Sequence, residues 1–221
     1  MSTIKLYGAL KHTGKAIALV LTMSTAAYAE EITLVAMGDS LTQGYGLAQG
    51  TGFVPQLETW LRDNGAEVRV MNAGVSGDTT AGGLSRVAWT LTPDIDAMIV
   101  ALGGNDMLRG VDPAASKSNL AGILDVAQAQ NVEVMLIGMQ APGNFGPDYK
   151  AQFDGMYPDL AAQYATGLVP SFLAGLGSLD PSEVQSLMQA DGIHPNAEGV
   201  ARIVDDIGPQ VLNWLQENQK G

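Results

Sequence analysis

Residues 32–41 read Ile32-Thr33-Leu34-Val35-Ala36-Met37-Gly38-Asp39-Ser40-Leu41. Apart from Thr33, apolar side chains fill both alternating sets of the first six positions, which fits a strand buried on both faces. Strands of that kind belong to parallel sheets covered by helices, in which each strand ends at a turn leading into a helix. Ser40 stands at such a turn, with Gly38 allowing a tight bend. Taken alone, the tetrapeptide 38–41 suits a turn or helix-capping serine as well as a reactive one.

The same reading extends outward along the chain. Apolar runs at 32–37, 68–72, 97–102, 132–138 and, more weakly, 167–172 predict strands. Stretches of helical period between them predict helices over about 53–63, 80–91, 114–130, 148–165 and 197–217. The last is the most regular, with Val200, Ile203, Val204, Ile207, Val211, Leu212 and Leu215 on one face and Pro209 as a point of bending. This alternation predicts an α/β fold, a three-layer α/β/α sandwich around a central parallel, flavodoxin-like sheet of about five strands. No repeat, linker or low-complexity segment interrupts residues 30–221, so one domain is expected there. Ligands of such sheets bind outside the carboxyl ends of the strands, which is where the chemistry should lie.

Composition narrows the chemistry. The 221 residues contain no Cys, which excludes disulfides, thiol nucleophiles and cysteine zinc sites. Eleven Lys and Arg against 23 Asp and Glu give a formal charge of −12 with no basic run, which argues against a nucleic-acid partner. His12 and His194 are the two histidines, too few for a site built on three imidazoles, and neither a metal nor a cofactor is expected.

Residues 1–29 have the form of an export signal: Lys5, Lys11 and Lys15, an apolar stretch from Ala16 to Met23, and Ala27-Tyr28-Ala29 as a cleavage site before Glu30. The apolar stretch is too short to span a bilayer and lacks helical periodicity, and no Cys follows the cleavage site to carry a lipid. The expectation is an acidic, exported protein, periplasmic or secreted, monomeric and without a stable membrane anchor. Cleavage would leave His194 as its only imidazole.

That imidazole lies in Asp191-Gly192-Ile193-His194-Pro195, just before the last predicted helix. A carboxylate three residues before a histidine on a turn can reach Nδ1, fix the tautomer and stabilise the imidazolium formed during proton transfer. A serine hydroxyl needs such a base to become a nucleophile. The third strand ends in Leu102-Gly103-Gly104-Asn105-Asp106, whose amide side chain offers donors to a developing oxyanion. The second is followed by Asn72-Ala73-Gly74-Val75-Ser76-Gly77-Asp78-Thr79-Thr80, in which either Gly74 or Gly77 can supply another donor and Asp78 or Thr79 can cap the next helix. Other signals weigh less. Gly44-Tyr45-Gly46 with Gly50 lacks dinucleotide-loop spacing, and Gly74-Val75-Ser76-Gly77-Asp78 fails the Gly-x-Ser-x-Gly pattern. The pairs Asp94, Asp96 and Asp205, Asp206 read as solvated surface acids.

Taken together, Gly-Asp-Ser-Leu at 38–41, Gly-Gly-Asn-Asp at 103–106 and Asp-Gly-Ile-His-Pro at 191–195 make the chain resemble the SGNH or GDSL family of serine esterases. With Ser76-Gly77-Asp78-Thr79 and Leu108-Arg109-Gly110, it looks like the periplasmic branch with acyl-CoA thioesterase, arylesterase and lysophospholipase activities. The resemblance implies Ser40 as nucleophile, His194 as base, Asp191 as its partner, and the amides of Ser40 and Gly77 with the Asn105 side chain as oxyanion hole. Met107 departs from the branch at a loop beside the acyl site. Loops 107–111 and 139–146 are expected to line that site, with Leu108 and Phe145 binding the acyl ester or thioester substrate. The competing expectations are a carbohydrate O-acetyl esterase with the same residues and an exported ligand-binding protein without turnover.

Overall fold

In the computed structural model, strands β1 (Ile32–Gly38), β2 (Val68–Gly74), β3 (Ala97–Ala101), β4 (Glu133–Ile137) and β5 (Gly167–Val169) form one parallel sheet in the order β2-β1-β3-β4-β5. The structure describes residues 31–177 and 180–218, so the export signal expected at 1–29 lies outside the described residues. The helices are α1 (Ser40–Gln43), α2 (Phe53–Asp63), α3 (Thr80–Thr90), α4 (Gly104–Leu108), α5 (Pro113–Ala129), α6 (Pro147–Tyr164), α7 (Pro181–Ser186) and α8 (Ala197–Asn218).

Alternation along the strands builds the three layers. Leu34 and Ala36 face a core shared with Phe53, Leu57 and Leu61 of α2 and Val200, Ile203 and Ile207 of α8. Val35 and Met37 face the other core, shared with Val87 of α3, Leu120 and Ile123 of α5, and Phe153 of α6. A strand packed on both sides has no polar face, which is why these runs are almost continuously apolar. The chain crosses from β1 to β2 on one side and returns to β3 on the other, so the switch point of the sheet lies between β1 and β3.

Several boundaries differ from the sequence reading, each for a local reason. β5 stops at Val169 because Pro170 has no N–H to continue the ladder. The Phe172 N–H turns back to the Gly138 carbonyl at 2.8 Å, and its ring packs on Phe53, 4.8 Å between centroids. β3 ends at Ala101, and Asn105 rides on the short helix α4 instead of a strand-end loop. α1, α4 and α7 are too short to show a period in the sequence. α8 runs through Pro209 without interruption. Asp96 is exposed yet also accepts the Thr33 N–H at 2.7 Å, fastening the start of β1.

Candidate active site

Ser40 is held by close packing at the end of β1. A Cβ on Gly38 would run into the Thr42 side chain and the Ala101 carbonyl, so glycine is required there to let α1 lie against the strand ends, and not for a left-handed backbone. Asp39 caps α1, its Oδ1 accepting the Leu41 N–H at 3.0 Å. The Ser40 N–H then falls in the first helical turn, where the helix itself supplies no acceptor.

His194 arrives on the loop between α7 and α8. That loop is closed at its base by an antiparallel bridge between Met188 and Pro195 and by the Gln189 N–H on the His194 carbonyl, 2.7 Å. Gln189 Nε2 also donates to the Tyr45 carbonyl at 2.8 Å, tying the loop to the segment after α1. The result is a relay: His194 Nε2 is 2.8 Å from Ser40 Oγ and Nδ1 is 2.7 Å from Asp191 Oδ2. Asp191 Oδ1 accepts the backbone N–H groups of Ile193 and His194 at 2.9 and 3.0 Å. The His194 ring hydrogen bond, then these two amides, hold the Asp191 carboxyl down at about 2. An ionised carboxylate only accepts, so Nδ1 carries the proton and Nε2 is left to accept from the Ser40 hydroxyl.

From β3, Gly103 turns with φ 122°, and a Cβ there would collide with the Tyr157 hydroxyl. That hydroxyl, fully buried and pushed above its usual range by burial, donates to the Leu102 carbonyl at 2.9 Å. Asp106 anchors α4 from below, accepting from the Thr80 N–H at 2.8 Å and the Ser116 hydroxyl at 3.0 Å. Asn105 Nδ2 donates to Asp39 Oδ2 at 3.2 Å. Burial, partly opposed by the hydrogen bonds from Leu41 and Asn105, holds the Asp39 carboxyl above the ordinary range.

From β2, Gly77 adopts φ 80° and lines the cleft, whereas the Gly74 N–H is taken by Asn72 Oδ1 at 2.9 Å. Thr79 caps α3 through the Gly82 N–H at 3.2 Å. Asp78 instead pairs with Arg86 at 2.8 Å. Arg86 also donates to the Ala73 carbonyl at 2.8 Å and the Gly38 carbonyl at 3.1 Å, joining the ends of β1 and β2. Arg109 donates to the Gly77 carbonyl at 2.9 Å.

These three strand ends open on a cleft of about 320 Å³ lined by Ser40, Gly77, Asn105 and His194. Leu108 and Met107 from loop 107–111 and Met139 from loop 139–146 line it. Phe145 does not line it: it sits in a single 3-10 turn, Gly143–Phe145, and stacks on Tyr149 with centroids 5.1 Å apart. The stacked column of Phe145, Tyr149 and Phe153 draws it onto the α5–α6 side of the molecule. Tyr45, Leu173 and Ile193 line the cleft without having been singled out, and the Tyr45 ring lies 4.9 Å from that of His194. The sequence marks Ile193 only as the neighbour of His194, and nothing local marks Leu173. Among the described residues no cluster of three or more His, Asp or Glu could hold a metal ion, and no helix is long and apolar enough to cross a membrane.

A serine, imidazole and carboxylate in hydrogen-bonded succession at the switch point of a doubly wound sheet define the serine-dependent class of esterases. Within that class the chain belongs to the GDSL-like lipase/acylhydrolase family, whose match covers residues 36–202. It is 43% identical over 184 residues to the esterase TesA of Pseudomonas aeruginosa, covering 83% of this chain and 89% of that one. To the thioesterase 1/protease 1/lysophospholipase L1 of Escherichia coli K12 it is 35% identical over 195 residues, covering 87% and 88%. The crystal structure of AlinE4, an SGNH-hydrolase family esterase, superposes with a TM-score of 0.70 at 44% identity, covering 85% of this chain and 98% of AlinE4.

Proposed function

We propose that the protein hydrolyses carboxylic esters and thioesters through an acyl-enzyme on Ser40. The observation that carries this is the unbroken relay from Asp191 through His194 to Ser40, opening on a cleft with apolar walls. Ser40 Oγ attacks the carbonyl carbon while His194 Nε2 takes the hydroxyl proton, and Asp191 stabilises the imidazolium. The negative charge that gathers on the carbonyl oxygen is met by the N–H groups of Ser40 and Gly77 and by Asn105 Nδ2. His194 returns the proton to the departing alcohol or thiol. Water, activated by the same imidazole, then releases the acid and restores the serine.

Leu108, with Met107 and Met139, receives the acyl chain. The names of the relatives support this range of esters, thioesters and lysophospholipids. No cofactor enters the reaction. In this reading residues 1–29 direct export, residues 30–221 act as a monomeric domain in the periplasm or outside the cell, and no stable membrane anchor holds them.

The test pairs a fluorophosphonate probe with p-nitrophenyl esters of two to eight carbons. The probe should label Ser40, and kcat/KM should climb severalfold with chain length, since each buried methylene adds up to about 0.8 kcal/mol. Leu108→Ala should weaken octanoyl turnover and spare the acetyl ester. An unlabelled native protein would make it a binder. A flat chain-length profile with release of acetate from acetylated glycans would make it a carbohydrate esterase.

A further inference from the structure

We propose that Asp39 is a positioning residue that aims the Asn105 amide into the cleft, an inference resting on the oxyanion role given to Asn105 above. Asp39 and Asn105 meet because their strands are neighbours: Gly38 pairs with Ala101 in the β1–β3 register, and each chain then turns into a short helix. Asp39 is only 4% exposed, and each of its oxygens has its own donor, Leu41 N for Oδ1 and Asn105 Nδ2 for Oδ2.

An asparagine amide has a donor end and an acceptor end of nearly equal size, and rotation about its last torsion is soft. A carboxylate that only accepts removes the ambiguity. It draws Nδ2 towards itself and leaves the second hydrogen on that nitrogen for the cleft that Asn105 lines. With the amide reversed, Oδ1 would stand where the oxyanion forms, and like partial charges would repel.

Capping α1 does not by itself call for an acid at this place. Serine and asparagine cap about as well with a single oxygen and escape the cost of burying a carboxylate. Two oxygens that both accept are needed only because two donors, one from each strand end, converge there. Asparagine at position 39 would turn its own NH₂ towards one of them. Serine would keep the cap and leave Nδ2 of Asn105 without its acceptor.

The experiment is a mutant cycle read with a p-nitrophenyl ester on the full chain: Asp39→Asn, Asp39→Ser, Asn105→Ala, and each Asp39 variant combined with Asn105→Ala. Asp39→Asn and Asp39→Ser should each lower kcat roughly 10- to 100-fold and change KM less than twofold, because the lost interaction belongs to the transition state. Asn105→Ala should lower kcat roughly 100- to 1,000-fold. Either Asp39 change should add almost nothing on top of Asn105→Ala. Multiplying losses in the double variants, a raised KM with kcat retained, or wild-type kcat in Asp39→Ser would each overturn the positioning role. Asp39→Ser keeps the helix cap, so its melting temperature should stay close to wild type even where Asp39→Asn is destabilised. Fluorophosphonate labelling of Ser40 in every variant separates the two readings: if labelling is absent even in the wild type, the esterase mechanism falls, and if labelling holds while the cycle is additive, only the Asp39 role does.

Discussion

Two arginine–aspartate pairs sit at opposite ends of the same sheet and do different work. At the carboxyl end, Arg86 and Asp78 meet at 2.8 Å with side chains 22% and 11% exposed. At the amino end, Arg69 and Asp94 meet at 3.6 Å with 45% and 62% exposed. Arg86 also donates from each terminal nitrogen to a backbone carbonyl, Ala73 and Gly38, at the ends of the strands that lead to Gly77 and Ser40. Besides Asp94, Arg69 gives one hydrogen bond, to the Thr33 hydroxyl at 3.1 Å, and ties no backbone carbonyl. Removing Arg86 would strand a shielded carboxylate and two carbonyls, whereas solvent and salt replace Arg69 at little cost. The same residue pair is a fastener for the active edge in one place and ordinary surface in the other.

The largest effect at the active edge should come from the relay itself. Ser40→Ala or His194→Ala should lower kcat by roughly 10,000-fold or more, and the double variant should lose little beyond either single one, because such a unit acts together. Steady-state kinetics on all three decides it, and multiplicative losses would break the relay.

Next comes Asp191. Asp191→Asn should cost on the order of 1,000- to 10,000-fold in kcat by releasing the imidazole into the wrong tautomer. Its carboxyl is lowered from an ordinary 3.8 to about 2, chiefly by His194. The stabilisation it lends the folded loop is therefore complete above the ordinary carboxylate value and lost as pH falls through about 2. A carbon-detected NMR titration should place its midpoint near 2 and see it rise towards 3.8 in His194→Ala. A midpoint unmoved by that substitution would sever Asp191 from the imidazole.

Smaller again, Arg86→Met should lower stability by about 1–3 kcal/mol and kcat roughly tenfold, the second because Gly77 and the β1 end lose their common tie. Arg69→Met should fall within about 0.5 kcal/mol of wild type by urea denaturation and keep full activity. Equal losses in the two variants would erase the distinction between the two ends.

The architecture could be read because its signals are local and repeated. The helix read at 53–63 coincides with α2, and the four other long helices fall within a residue at either end. β1, β3 and β4 show themselves by apolar runs that no single-sided strand would carry, whereas β2, with Arg69 exposed, shows alternation. Ser40 and Asn105 stand out for their residue types after strands and His194 for its place before the last helix, and the structure brings them to one cleft. Arg86 did not stand out, since its partnership with the Gly38 carbonyl spans 48 residues and leaves no periodic mark. Asp39 was visible only as part of a tetrapeptide, because the donor that gives it meaning lies 66 residues away. Phe145 was placed by loop order, whereas a stack with Tyr149 decides where its ring goes.

The hydrogen bond between Ser40 and His194 closes across 154 positions of the chain. The serine opens the short helix just after the first strand, and the imidazole precedes the helix that completes one face of the sandwich. A nascent or partly unfolded chain in which α8 has not docked therefore holds its hydroxyl with no base beside it. On the proposed mechanism, turnover reports completed folding of the whole domain, and a newly made chain stays chemically silent until its last helix is seated.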